Sequence, residues 1–397
     1  MSPRVAILGA SRYNSPVIAH IGAIGFETLV IDGNASAHGF AFAHAHAVAD
    51  IRDPQSLRAA IDAHGRVDGI VTLGEPGVRP AARVCAELGL PTISEDAAHI
   101  VTSKIAMRRA WDAIPQFSVH WRAVRTEDEA LEAAEVLGYP VVVKPDRTHG
   151  GSRGVTRADD RLQLVKAFAF AKTSGFSEDV IVEQFLVSIS EHSAEVLVEN
   201  GRATVIAIGE KVKTPPPYRV DLSVRYPATL DVDEMCKRAV DAVGITIGAA
   251  HIEFARTREG PRLLELGARC GGGHTPLIAR HVSGVDEIAE VCRLACGLTP
   301  RATRAAARGA DYRFLAFPPG VYASSTIPAE VRDHPDVCDV DLTLQPGGEI
   351  RNVRAGGDRA GFVVTFGDTR EDAVRLADWA SEQIRVTYAD GSVRGPS

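Results

Sequence analysis

Two glutamates that should repel each other stand out in this chain: Glu253, within HIEFART, and Glu265, within PRLLELGARCGGG. Both lie on apparent strands, and Arg258-Glu259-Gly260 between them reads as a three-residue hairpin loop with glycine in its left-handed last position. That loop sets Ile252 opposite Leu266, Phe254 opposite Leu264, and Glu253 opposite Glu265. Like charges directly opposed destabilise a sheet, so such a pair persists most easily with a cation between the carboxylates. Hard oxygen ligands without His or Cys favour magnesium. Arg269, four residues on, is placed to face the same site. The competing reading is a hairpin whose glutamates sit in water beside unrelated lysines.

The opposite charge comes from two lysines and a glycine-rich loop. Lys104 lies on a helix within TSKIAMRRAW, and Lys144 ends the short buried strand PVVVK. The loop from His149 to Val155 follows, with Gly150, Gly151, Ser152 and Gly154. Glycines let backbone N–H groups approach phosphate oxygens closely, and the strand-end lysine adds a point charge. No G-K-[ST] follows, so this is not a Walker loop, and alone it reads more readily as a turn. Further on, DVIVEQFL reads as a strand ending at Glu183-Gln184-Phe185-Leu186, with Glu191 after it. Lys211 and Lys213 precede Thr214-Pro215-Pro216-Pro217-Tyr218, whose prolines rule out a central strand. That stiff loop either folds over a nucleotide or lies simply at the surface.

Taken in order, a helix lysine, a strand-end lysine, a glycine loop, the Glu183 strand, Glu191, the opposed glutamates and Arg269 resemble the ATP-grasp superfamily, over roughly residues 4 to 300. In that family ATP lies between two α+β lobes, and a carboxylate is joined to an amine through an acyl phosphate. The resemblance implies that Lys104 and Lys144 neutralise ATP phosphates, while Gly150, Gly151, Ser152 and Gly154 cover them. It implies that Glu183 and the backbone of Gln184, Phe185 and Leu186 hold the adenine edge, and that Glu191 accepts from the ribose hydroxyls. Glu253 and Glu265 would hold Mg2+, and Arg269 would steady the acyl phosphate and the oxyanion formed on amine attack. Such roles suit a phosphoryl transfer whose loose transition state needs fixed cations rather than covalent help. Glu75, Lys213, Gly272 and His274 are the substrate candidates.

One position departs from the family pattern. Many members have asparagine two residues after the second glutamate, as a further metal ligand, where Gly267 stands here. The wording ELGARCGGG followed by His274-Thr275-Pro276 nevertheless looks like the dipeptide-forming carboxylate-amine ligases, the bacilysin-type L-amino-acid ligases among them. The expected activity is an ATP-dependent ligase that makes an amide or dipeptide bond and releases ADP and phosphate. Two alternatives remain at this point: a purine-biosynthesis ligase acting on a ribonucleotide, and a nucleotide-binding module without catalysis.

The first hundred residues alternate strand and helix: VAILG, a helix from about Pro16, TLVID, a helix after Pro54, GIVTL, and a helix ending near Leu90. This reads as a doubly wound parallel-sheet domain over residues 1–100. Its first turn, Gly9 to Asn14, lacks the glycines of a dinucleotide fingerprint despite Asp32 closing the second strand. An ATP-grasp domain over 101–300 follows, with a small ATP-lid lobe at about 117–186, and then a C-terminal α+β domain over 301–390. In that last domain DYRFLAF, EIRNVRA and GFVVTFG read as strands and Asp372 to Val386 as a helix, with Thr369 and Asp372 as its capping box. Residues 390–397 are expected to be disordered.

Composition narrows the partners. With 45% hydrophobic and 24% charged residues and a formal charge of −7, the chain has no dense basic run. Nucleic acid and anionic membrane are therefore poor partners, and small-molecule carboxylate and amine substrates are the better expectation. The sequence shows no signal-peptide pattern and no membrane-spanning run, so a cytoplasmic protein is expected, and a homodimer as the commonest assembly. The six cysteines form no C-x-x-C pair and read as free, mostly buried thiols. His38, His44 and His46 read as an ordinary surface loop.

Overall fold

The structure is a computed structural model that describes residues 2–148 and 152–396. The chain divides into two compact units. The first comprises Met1–Val119, Ser193–Ala207 and Leu230–Ala305, and the second His120–His192, Ile208–Thr229 and Ala306–Ser397.

The first unit opens with a four-stranded parallel sheet in the order Ala45–Val48, Glu27–Asp32, Arg4–Leu8, Gly69–Thr72. Its central strand is an unbroken apolar run, as a strand buried on both faces requires, and Val5 to Leu8 have no exposed surface. Helices Ser15–Ala23, Pro54–His64 and Val78–Leu88 accompany it. Asp53 caps the second by accepting from the amides of Gln55 and Ser56, and Gly89 ends the third in the left-handed region. Asp32 accepts from Ala10 N at 2.7 Å and Asn34 N at 2.8 Å, so it braces its own loops. The segment read as a histidine loop contains a short strand, Ala45–Val48, that pairs with Leu29 to Asp32. His44 Nδ1 lies 3.0 Å from Thr28 Oγ1, and His38 Nδ1 2.8 Å from Ser15 Oγ. Two of the three histidines thus lock local structure.

Also in the first unit, helix Lys104–Trp111 begins at Ser103, whose hydroxyl accepts from Ala106 N. It is fixed against the hairpin Gly248–Thr257 and Gly260–Gly267 by Arg108, 1% exposed, which donates to Leu263 O and Leu264 O at 2.8 and 3.0 Å. The hairpin register agrees with expectation at the glutamates but not along its whole length. Thr257 pairs with Gly260, leaving a two-residue loop, and Phe254 faces Leu263. A bulge at Leu264 then restores Glu253 opposite Glu265 and Ile252 opposite Leu266.

The second unit contains an antiparallel sheet in the order Trp121–Val124, Val180–Gln184, Val141–Pro145, Thr156–Ala158. Helices Glu127–Leu137 and Arg161–Ser174 pack on it through Leu131, Leu164 and Phe168 against Val141, Val143, Val180 and Val182. Thr126 with Glu129 makes a full capping box for the first of these helices.

Later in the unit, strands Asp221–Tyr226, Gly309–Leu315, Gly361–Gly367 and Val337–Leu342 pair in that order, with helix Arg370–Gln383 started by the Thr369 and Asp372 box. Three expectations change here. The helix stops at Gln383, because Ile384 and Val386 are fully buried and the chain turns extended into strand Arg385–Tyr388. Of EIRNVRA only Glu349–Ile350 is strand, while Gly320–Thr326 forms a strand that the sequence reading did not foresee. Finally, the tail is ordered as far as described: Val393–Arg394 pairs with Val386 and Thr387.

Candidate active site

The candidate residues fall into two constellations, one in each unit. In the first, strand alternation puts His251 and Glu253 on the partly exposed face of Gly248–Thr257, while Ile252 and Phe254 are fully buried on the other. Glu265 faces Glu253 across the hairpin. Each glutamate has a cationic neighbour: Lys104 Nζ stands 2.9 Å from Glu265 Oε1, and His251 Nε2 3.6 Å from Glu253 Oε1. Burial alone would lower the His251 pKa, but Glu195 and Glu253 outweigh it and raise it to about 9. The like charges are therefore tolerated in the fold itself, and their opposition is weaker testimony for a metal than the sequence suggested.

Glu75 joins this group. It begins the short helical turn Glu75–Gly77 after strand Gly69–Thr72, and its Oε2 lies 3.7 Å from Arg269 Nε. Burial pushes its carboxyl up, Arg269 pulls it down, and the Glu265 charge pushes it up again. A Cβ on Gly267 would come within 3.3 Å of that same Oε2. The space where a family asparagine would sit is thus taken by a carboxylate from elsewhere in the chain. Arg269 donates one terminal N–H to Cys270 O at 2.8 Å. Its Nε is buried with no hydrogen-bond acceptor among the described residues.

Gly272, two residues further, is exposed with open space where a Cβ would be, whereas His274 has no exposed surface and stands at the start of helix Thr275–Ser283. The expectation that both face a substrate thus separates: Gly272 is accessible and His274 is inside.

In the second unit Lys144 and Glu183 form a diagonal cross-strand pair. Val142 is paired with Glu183 and Lys144 with Ile181, which brings Lys144 Nζ 2.5 Å from Glu183 Oε2, with side chains only 11% and 4% exposed. The amides of Gln184 and Phe185 already donate to His120 O at 2.9 Å and Pro140 O at 3.3 Å. Glu191 accepts from Arg219 at 2.7 Å and pairs with Lys213 at 3.0 Å. Lys213 and Lys211 in turn both reach Asp221, at 3.0 and 3.1 Å. Burial opposes ionisation of Glu191, but Lys213 and Arg219 outweigh it and hold its carboxyl below the usual range.

Gly150 and Gly151 lie outside the described residues. Ser152 has a positive φ of 57°. Gly154 has φ 74°, and a Cβ there would meet Ser174 Cβ at 2.6 Å, so its glycine is demanded by packing.

Reading the sequence missed Glu195, His251, Arg219 and Asp221. His251 was detectable as the residue two before Glu253, hence on the same strand face. Arg219 and Asp221 follow the proline loop closely. Glu195 carried no signal, because a buried carboxylate in an apolar strand looks like any polar alternation.

Magnesium needs only one or two carboxylates beside substrate phosphates and waters. Glu253 and Glu265, with Glu75 close to the second, fit that donor set. Among the described residues no larger cluster of three or more metal-ligating side chains occurs.

With these features in place, comparison defines the class. The family described as "Carbamoyl-phosphate synthase L chain, ATP binding domain" matches residues 102–302, just over half of the chain. The chain belongs to that family and is an ATP-grasp carboxylate-amine ligase. Residues 313–389 match a second family, "L-amino acid ligase C-terminal domain 2".

Alanine–anticapsin ligase of Bacillus subtilis is 29% identical over 248 residues, covering 55% of this chain and 52% of that protein. A formate-dependent phosphoribosylglycinamide formyltransferase of Ignicoccus hospitalis is 27% identical over 285 residues, covering 65% and 67%. The crystal structure of an L-amino acid ligase from Bacillus licheniformis shares the fold, with TM-score 0.83 at 21% identity over 98% of this chain and 99% of that one. Among the described residues no helix is long and apolar enough to cross a membrane.

Proposed function

We propose that this ligase activates the carboxylate of an amino acid as an acyl phosphate and joins it to the amine of a second amino acid or related amine, releasing ADP and phosphate. The observation that carries this reading is the Glu75 and Arg269 pair. A carboxylate made costly by burial stands beside a guanidinium whose Nε is buried without an acceptor. A zwitterion answers both needs: its ammonium compensates Glu75 and its carboxylate takes the Arg269 fork. The match of residues 313–389 to an L-amino acid ligase domain supports the same substrate class.

In this reading Lys104 and Lys144 offer positive charge to the ATP phosphates, the first from Glu265 and the second from Glu183. The Leu186 amide and the carbonyls of Gln184 and Phe185 face the adenine, since the amides of those two are already engaged. Glu191, held ionised by Lys213 and Arg219, accepts from the ribose hydroxyls. Gly272 borders the substrate, and His274 supports the loop from inside. Glu253 and Glu265 would hold Mg2+, which when bound screens the phosphate charge. Arg269 donates to the oxyanion that develops as the amine attacks.

The purine-pathway alternative rests on the formyltransferase relative. Glu75 argues against it, because a carboxylate lining the substrate site repels a ribonucleotide phosphate. Purified protein given ATP, magnesium and pairs of amino acids should release phosphate only when both partners are present. Release that ignores amino acids and needs an amine-bearing ribonucleotide would favour the alternative.

A further inference from the structure

Behind the groups that would touch substrate, the first unit holds a polar chain that joins two of them. His251 Nδ1 lies 2.7 Å from Glu195 Oε1, and its Nε2 lies 3.6 Å from Glu253 Oε1. The second oxygen of Glu195 accepts the amide of Gly271 at 2.9 Å. Glu195 has no exposed surface. One carboxylate therefore grips the strand that carries Glu253 and the loop that carries Arg269, two residues before Gly271.

The grip constrains the sequence. A Cβ on Gly271 would sit 2.9 Å from Glu195 Oε1 and 2.4 Å from Thr275 Cγ2, so this residue is glycine because the carboxylate and the helix start close on it. A buried carboxylate is costly, and an apolar side chain of similar volume would serve packing at least as well. What it supplies instead is direction. Both oxygens are committed, so neither the imidazole nor the loop amide can turn without breaking a charge-assisted hydrogen bond. Outer-shell partners of this kind orient ligating carboxylates, and losing one typically costs about 10- to 100-fold in metal affinity or activity.

We infer that Glu195 and His251 are positioning residues that keep the metal-holding carboxylate Glu253 in register with the loop bearing Arg269. The inference rests on the metal and acyl-phosphate roles proposed above.

The test compares Glu195→Gln with Glu290→Gln. Glu290 is also a buried carboxylate of the first unit, but its partners are the Arg301 amide and Arg293 rather than His251 or Gly271. Glu195→Gln keeps an oxygen for Gly271 and turns an amide toward His251. Thermal melting is followed at fixed ADP while magnesium is titrated, which reads metal binding without requiring the right substrates. We expect the magnesium concentration that gives half of the nucleotide-dependent stabilisation to rise about tenfold in Glu195→Gln and to stay unchanged in Glu290→Gln.

If the first variant does not fold, His251→Gln is measured the same way with the same expectation. A shift in Glu195→Gln no larger than in Glu290→Gln overturns the positioning role alone. Wild-type protein that gains no stability from magnesium and ADP together overturns the metal assignment and the positioning role with it.

Discussion

In the second unit, Glu183 sits on Lys144 and Glu191 on Lys213 and Arg219, so each acid named there is met by a fixed cation at 3.0 Å or less. In the first unit, Glu75 and Glu253 stand 3.7 and 3.6 Å from Arg269 and His251, and Glu265, although 2.9 Å from Lys104, remains 42% exposed. The contrast separates charge that also holds the fold, as at Lys144 and Glu191, from charge that contributes little to the fold and is left to meet a ligand, as at Glu265. A closed buried pair costs about 3–5 kcal/mol to break, because it leaves an uncompensated charge inside. A half-open pair is worth about 1 kcal/mol at most, so its sequence position is explained better by what it binds.

The sharpest way to test that contrast is to neutralise one carboxylate in the first unit. Glu265→Gln should lower turnover by about 100-fold or more, through loss of a charged ligand, as for other groups aimed at transition-state charge. Its melting temperature without metal should stay within a few degrees of wild type, since the lost Lys104 contact is offset by relief from Glu253. A strongly destabilised variant with near-normal turnover would place this pair with those of the second unit.

Lys144→Met gives the opposite pattern in stability. It removes the cation 2.5 Å from the buried Glu183 and should cost about 3 kcal/mol in chemical denaturation. Adding Glu183→Leu should recover most of that loss without recovering nucleotide binding. No recovery in the double variant would mean that Lys144 matters to the fold through something other than Glu183.

Glu75→Gln should raise the KM of the acyl-donor amino acid about tenfold, the worth of one charged hydrogen bond. Because its folded pKa is raised, the ionised Glu75 weakens the fold as pH rises past its ordinary value. The variant should therefore match or exceed wild type in thermal stability at pH 7. Lower stability with unchanged KM would return Glu75 to a structural role.

The smallest effect is expected at Glu287, which is fully buried in the first unit and whose carboxyl is pushed well up by burial and then by Glu195. The neutral acid favours the folded state at low pH, and that advantage is lost as pH rises toward its folded value. Glu287→Gln should flatten the decline in melting temperature from mildly acidic to neutral pH relative to wild type, with turnover nearly unchanged. A parallel pH profile in the two proteins would show that Glu287 ionises normally.

Much of this could be read in the sequence, for physical reasons that differ by residue. Glu253 and Glu265 were legible because strands alternate and Gly260 marks the turn. Their register was nevertheless reached by a tighter loop and a compensating bulge at Leu264, which no spacing rule reveals. Lys144 and Glu183 were each visible, but their pairing depends on a diagonal between strands distant in sequence. Glu195 was invisible for the same reason in stronger form, since its two partners come from segments more than fifty residues away. At the C-terminus, helix propensity through Gln383 hid the buried Ile384 and Val386 that turn the chain into a strand.

The central claim, acyl-phosphate ligation of amino acids, is tested most directly by the nucleotide products of wild-type turnover. Chromatography of a reaction containing ATP, magnesium and a productive amino-acid pair should show ADP, with phosphate released in equal amount to the amide formed. AMP with pyrophosphate in place of ADP would contradict the account.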